Sequence, residues 1–177
     1  VLSHTSGLTR EAAVGHYLDD HPPPLAEAVR SLAAFPRKVA PGVYRYSNAG
    51  FALLGAVVEA RGESAYADFV DTHIFSPLGM GDTTVGFDRQ SRKRLAPAQM
   101  WSFDGERDAP CFNLGGESAG SVVSSLGDMA RFAQALLSDD LLPRAAFDEM
   151  WRVRDERGYG LGFAVDRPLL RRMVRFG

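Results

Sequence analysis

The stretch PGVYRYSNAGFALLGAVVEARG, residues 41–62, constrains the fold more than any other part of the chain. Residues 48–61 suit a helix closed by Gly62. Apolar side chains on it point in nearly every direction: Phe51, Leu53, Leu54, Val57 and Val58. Its only charges, Glu59 and Arg61, fall in the last turn. A helix apolar all round predicts a central, buried element. Its first four amides have no partner inside the helix and must open into protein or into a cleft. Ser47 or Asn48 can satisfy one of them.

Two roles fit this polar mouth. In one, Ser-Asn is a cap and the tyrosines Tyr44 and Tyr46 are amphipathic packing. In the other, the mouth is a site. A helix N-terminus carries roughly half a positive charge. A tyrosine held there ionises more readily than its free pKa of about 10 implies. Tyr46 would then take a proton from a nucleophilic hydroxyl. Asn48, two residues on, would hold a lysine or orient a substrate amide.

Elsewhere the pattern is mostly helical. Thr9, Arg10 and Glu11 carry a helix-start signature for residues 9–19. Residues 25–35 have helical spacing after a proline run, which can begin a helix but not continue one. Residues 64–74 form another expected helix, with Ser64 as cap, broken by SPLGMGDTT. Residues 86–116 are the least regular, and residues 95–120 are a candidate pocket wall. Ser124 or Ser125 caps a helix running to Leu137, with Asp128 in its first turn, where the dipole favours an anion. Pro143 begins a short helix to about Trp151. Residues 159–165 and 173–176 read as strands joined by a turn near 166–168. The expectation is one domain, or part of one, with strand character only late.

Composition narrows the function. The chain has 177 residues, 45% hydrophobic and 24% charged, with a net charge of −2. That gives no electrostatic case for nucleic acid or an anionic membrane, and no apolar run is long enough to cross a bilayer. The single cysteine, Cys111, cannot form an internal disulfide and suits packing better than catalysis. Only Lys38 and Lys93 are lysines, so chemistry needing a neutral lysine has two candidates; arginine does not deprotonate. His16 and His21 lie five apart without an acidic ligand pattern. His4 sits in a polar turn, and His73 ends a helix. No metal and no cofactor is expected.

Several blocks now carry a resemblance. Tyr46-Ser47-Asn48 is similar to the Tyr-x-Asn motif of the serine β-lactamase and penicillin-binding-protein-like family, which includes class C-type β-lactamases, DD-peptidases and related esterases. LSHTSGL (residues 2–8) resembles that family's LxxHTSGL segment. PGVYRYSNAGFALLGAVVE resembles the run into its central helix, IFSPLGMGDTT (74–84) its PLGMxxT turn, AGSVVSSLGDMARFAQALL its AGGLxSTxxDLARFxxALL helix, and YGLGF its YGLGW strand. The blocks follow the family's order along nearly the whole chain. The resemblance implies an α+β fold of the β-lactamase/transpeptidase type, this chain holding mostly the helical part and lacking much of the sheet. It also implies a serine that forms an acyl-enzyme, with Tyr46 as the proton-transfer residue and Asn48 orienting the lysine and the substrate.

The family's Ser-x-x-Lys motif matches no serine of this chain. Ser91-Arg92-Lys93 has the wrong spacing. The family places that serine before its HTSGL segment and a Lys/His-x-Gly strand after residues 175–177. The expectation is therefore that residues 1–177 are one hydrolase domain truncated at both ends, inactive alone and active as part of the full protein. Its partner would be a small-molecule or peptide substrate carrying an ester, β-lactam or D-alanyl peptide bond. A different class, a non-catalytic binding module on the same fold, would require the serine to be replaced. Gly116-Glu117-Ser118-Ala119-Gly120 also matches the Gly-x-Ser-x-Gly nucleophile elbow. Roughly 0.1 such matches arise by chance in this composition. All four histidines precede Ser118, whereas the elbow's triad needs one after it, so a glycine-rich turn is the better account.

Overall fold

A computed structural model describes residues 1–16, 23–35, 39–87, 91–109, 116–155 and 157–165. Cys111, Lys38, His21, residues 17–19 of the first expected helix and the expected turn and strand at 166–176 lie outside these residues.

The organising element is helix α2, Asn48–Gly62. Helix α1, Leu25–Ser31, is continued by a 3-10 turn, Leu32–Ala34, and packs along α2. A 3-10 turn over Glu117–Ala119 lies on α2 as well. The contact face of α2 is built from its small residues: Ala49, Gly50, Ala52 and Gly55 are buried, while Val57 is 50% exposed. This corrects the expectation of a helix buried all round. Small side chains let the neighbouring backbones approach, and the larger ones sit half-buried at the margins. A Cβ at Gly55 would stand 2.1 Å from the Ser118 hydroxyl oxygen. The helix also runs one residue further than expected. Gly62 is still helical, with Phe69 packed 2.5 Å from where its Cβ would be, and Glu63 takes the left-handed cap at φ 51°.

After α2, helix α3, Tyr66–Val70, passes into a π-helical turn, Asp71–Phe75. Ser64 is not its cap. The N-cap position is Ala65, and the Glu59 carboxylate accepts from the Tyr66 N–H at 3.1 Å. Val70, Phe75 and Met80 form the buried centre of a cluster that Tyr66, Ile74, Leu78, Val85 and Phe132 complete. Helix α4, Leu126–Leu137, starts as expected, with the Ser125 hydroxyl accepting from the Asp128 N–H. Helix α5, Arg144–Met150, follows Pro143 and buries Phe147 completely.

Two expectations fail locally. Residues 9–16 are not helical. The carbonyls that would begin a helix there are taken from outside: Thr9 O by the Ser47 hydroxyl, Arg10 O by the Ala49 N–H. Residues 159–165 are not a strand but a tight return, with one antiparallel bridge, Tyr159 to Ala164, and Gly162 at φ 78°.

Strand structure comes earlier than expected. β1, Thr84–Val85, pairs antiparallel with β4, Val122–Val123. β2, Gln99–Ser102, pairs with β3, Gly105–Asp108, in a hairpin inside the stretch expected to be irregular. Its turn residue Phe103 and neighbouring Trp101 are exposed. The described residues are thus α+β, with helices predominating over two small antiparallel sheets.

Asp128 joins the two halves of this arrangement. Its buried carboxylate accepts from the Asp82 N–H and the Thr83 hydroxyl, both at 2.8 Å, and from Arg131 at 2.7 Å. Burial pushes the carboxyl pKa up. The Thr83, Asp82 and Arg131 interactions outweigh it and hold the carboxyl below its ordinary value of 3.8. A depressed carboxylate pKa stabilises the fold at and above the ordinary value, and the contribution disappears as pH falls through the lowered one. Asp128→Asn should therefore lower the thermal midpoint at pH 7. The gap to the parent should close as the scan is repeated below about pH 4; a gap independent of pH would mean the charge is not what holds the loop.

Candidate active site

The mouth of α2 is shaped by Ser47, which is 1% exposed and fully used. Its N–H donates to His4 Nδ1 at 3.1 Å. Its hydroxyl donates to Thr9 O at 2.6 Å and accepts from the Gly50 N–H at 2.9 Å. Ser47 is therefore the cap, in extended conformation at φ −145°. Asn48 is the first helical residue and is free of capping duty.

Asn48 turns its amide outward, where Nδ2 donates to Glu11 Oε1 at 2.6 Å. With the nitrogen so engaged, Asn48 Oδ1 is left as the acceptor end of the amide. Glu11 is also approached by its neighbour Arg10, at 3.6 Å. The Arg10 guanidinium lies 5.7 Å from the centre of the Tyr46 ring, which places a permanent positive charge beside that residue. Tyr46 itself is 42% exposed.

Tyr46, Asn48 and Glu11 face one cleft of about 130 Å³. Ala12 and Gly15 continue the Glu11 side, and Ala49 and Ala52 of α2 form the floor. Gly116, Ala119 and Gly120 complete the lining, Gly116 lying beside Gly15. The structure thus brings both sequence-derived site residues to one cavity. Of the candidate wall at 95–120, the described residues that line the cleft are Gly116, Ala119 and Gly120, not the hairpin. Ser118 does not behave as a nucleophile there. Its hydroxyl donates to Phe51 O at 2.8 Å and pins the turn to α2.

Sequence reasoning missed Glu11, Arg10 and the full role of His4. Their signal is weak, because each acts through a contact some forty residues away. His4 is 2% exposed and sits among the rings of Tyr44, Tyr46, Phe51 and Tyr159. Burial pushes its pKa below the ordinary 6.5, so it is largely neutral at pH 7. With Nδ1 accepting, the ring proton resides on Nε2. Burial likewise raises the pKa of Tyr159, which therefore keeps its proton. Among the described residues, no group of three or more His, Cys, Asp or Glu could hold a metal ion. No helix among them is long and apolar enough to cross a membrane.

The two roles at the mouth separate by mutation. Ser47→Ala should cost about 1–2 kcal/mol of stability through loss of the cap. Asn48→Ala should cost clearly less in a denaturant titration, because it caps nothing. Equal losses would return the cap to Asn48.

Comparison with known proteins extends this picture. A family model described as beta-lactamase matches residues 1–174. The chain is 33% identical over 163 residues to an unguisins hydrolase of Aspergillus campestris, covering 87% of this chain and 30% of that protein. It is 33% identical over 152 residues to the D-alanyl-D-alanine-carboxypeptidase/endopeptidase AmpH of Escherichia coli, covering 82% of this chain and 37% of that one. Among solved structures, D-amino acid amidase from Ochrobactrum anthropi superposes with a TM-score of 0.74 at 25% identity, over 91% of this chain and 52% of that one. FmtA from Staphylococcus aureus gives 0.76 at 19% identity, over 93% and 48%, a likeness of fold alone. The chain spans 30% and 37% of the length of these two curated relatives.

Proposed function

The chain belongs to the β-lactamase family and shares its fold, and from that premise we propose that it carries the proton-transfer wall of a serine hydrolase site. Members of this family are serine hydrolases. In the proposed reaction a serine attacks the carbonyl carbon of an ester, β-lactam or D-alanyl peptide bond. The serine proton passes to Tyr46 and on to the leaving oxygen or nitrogen as the scissile bond breaks. The acyl-enzyme is then released by water, which supplies hydroxyl to the acyl group and a proton to the enzyme. Asn48 orients the lysine partner and the substrate through its Oδ1. No Ser-x-x-Lys occurs among residues 1–177. The proposal places the nucleophile elsewhere in a longer protein, with residues 1–177 as part of one hydrolase domain. The chain alone would form no acyl-enzyme.

The observation that carries this reading is the convergence of Tyr46 and Asn48 on one cleft at the mouth of α2. Tyr46 is open to the solvent there, Arg10 stands beside its ring, and Asn48 is held by Glu11 through its amide nitrogen. A buried packing tyrosine and a capping asparagine would show neither feature.

The experiment uses the full-length protein, incubated with a fluorescent penicillin and separately with a p-nitrophenyl ester, followed by intact mass. A covalent adduct on a serine is expected, and the preferred reagent separates β-lactam recognition from esterase activity. Tyr46→Phe should keep the fold and lower turnover by about 10²- to 10⁴-fold. Turnover within a few-fold of the parent would remove Tyr46 from proton transfer. No adduct and no turnover with either reagent would favour a narrow substrate outside these two classes or a non-catalytic binding module.

A further inference from the structure

Tyr46 lies between two backbone amides that end on the same residue. The Arg45 N–H donates to His4 O at 2.7 Å, and the Ser47 N–H donates to His4 Nδ1 at 3.1 Å. In an extended segment, alternate amides point to one side, so His4 grips the chain immediately before and after Tyr46. Its ring then makes a third contact, with the Tyr46 ring itself, at 4.4 Å between centres and 35° between planes. The three contacts fix the backbone on both sides of the phenol and one face of the ring.

His4 is itself held firmly. Its backbone is left-handed at φ 57°, a region where non-glycine residues are uncommon and histidine, asparagine and aspartate are enriched. Its amide donates to Val1 O at 2.8 Å. Tyr44 and Tyr159 meet its ring edge-on, at 5.8 and 5.0 Å, and Phe51 of α2 lies at 5.1 Å. An imidazole of 2% exposure with so many partners makes a rigid mount. A leucine or phenylalanine would fill the volume but accept nothing from Ser47. An asparagine would accept but leave the Tyr46 ring unsupported.

We infer that His4 is the positioning residue for Tyr46: it sets the place and plane of the phenol through the two flanking amides and the shared ring contact. This rests on the reading of Tyr46 as the proton-transfer residue. His4 touches neither substrate nor nucleophile in this scheme and acts only through Tyr46. Its loss should appear in kcat rather than KM, since misplacing a reacting group by a fraction of an ångström affects the chemical step most.

The test is a set of single and double variants of the full-length protein, assayed on the ester or β-lactam that labels it. His4→Phe keeps a ring and removes the acceptor. It should lower kcat by about tenfold or more, with KM within about threefold of the parent. His4→Asn keeps an acceptor and tolerates the left-handed backbone but removes the ring. It should lower kcat about three- to tenfold. In a Tyr46→Phe background both losses should vanish, because the residue being positioned is gone. Equal losses with and without the Tyr46 hydroxyl would make His4 a stability residue only, and overturn the inference. If His4→Phe does not fold, His4→Asn decides alone, and parental kcat there overturns it. Parental turnover in Tyr46→Phe itself would instead retire the proton-transfer reading, an outcome read before any His4 variant is considered.

Discussion

Ser47 has three hydrogen bonds and no freedom left. One bond goes to the His4 ring, one to the Thr9 carbonyl, and one comes from the Gly50 amide. The first two tie the start of α2 to two other segments and the third caps the helix itself, and together they decide which way the neighbours on either side must face. Tyr46 is forced to the open side and Asn48 to the Glu11 side. The bond to Thr9 also ties the irregular residues 9–16 to the start of α2. A buried hydroxyl satisfied in this way contributes modestly in net energy but is costly to leave with broken bonds, so the site geometry and the fold share one anchor.

Asp128 plays the corresponding part on the other side of the molecule. Its carboxylate gathers an amide, a hydroxyl and a guanidinium. That fixes residues 82–83 against the start of α4. The apolar cluster of Val70, Phe75 and Met80 supplies the packing there, but an apolar cluster is non-directional. The charged bonds set the orientation.

How far the sequence revealed this depended on range. Elements governed by their own residues were legible: the Ser125 cap of α4, the proline start of α5, the start of α1 after its proline run. So was the convergence of polar groups at the mouth of α2, because four of them fall within five residues. What escaped was set by distant partners. Thr9 and Arg10 lost their helix to residues of α2. The left-handed cap falls on Glu63 rather than Gly62, whose missing side chain instead makes room for Phe69. The β2–β3 hairpin was missed because its strands are exposed on most positions and lack an apolar alternation. Its Asp104-Gly105 turn signal was the one local clue, with Gly105 at φ 107°. Glu11 and Arg10 carry no motif and become site residues only through the fold.

The missing side chain at Gly55 acts as a spacer whose thickness is zero. Ser118 rests where a methyl group would be, and the turn it belongs to carries Ala119 and Gly120 to the edge of the cleft. The separation between that edge and Asn48 is thus set from behind, by how deeply the turn can sink into α2. A heavier residue at 55 would push on the turn that carries that edge of the cavity. Aperture and chemistry are inherited from different positions along the same helix, about two turns apart, and can be varied separately.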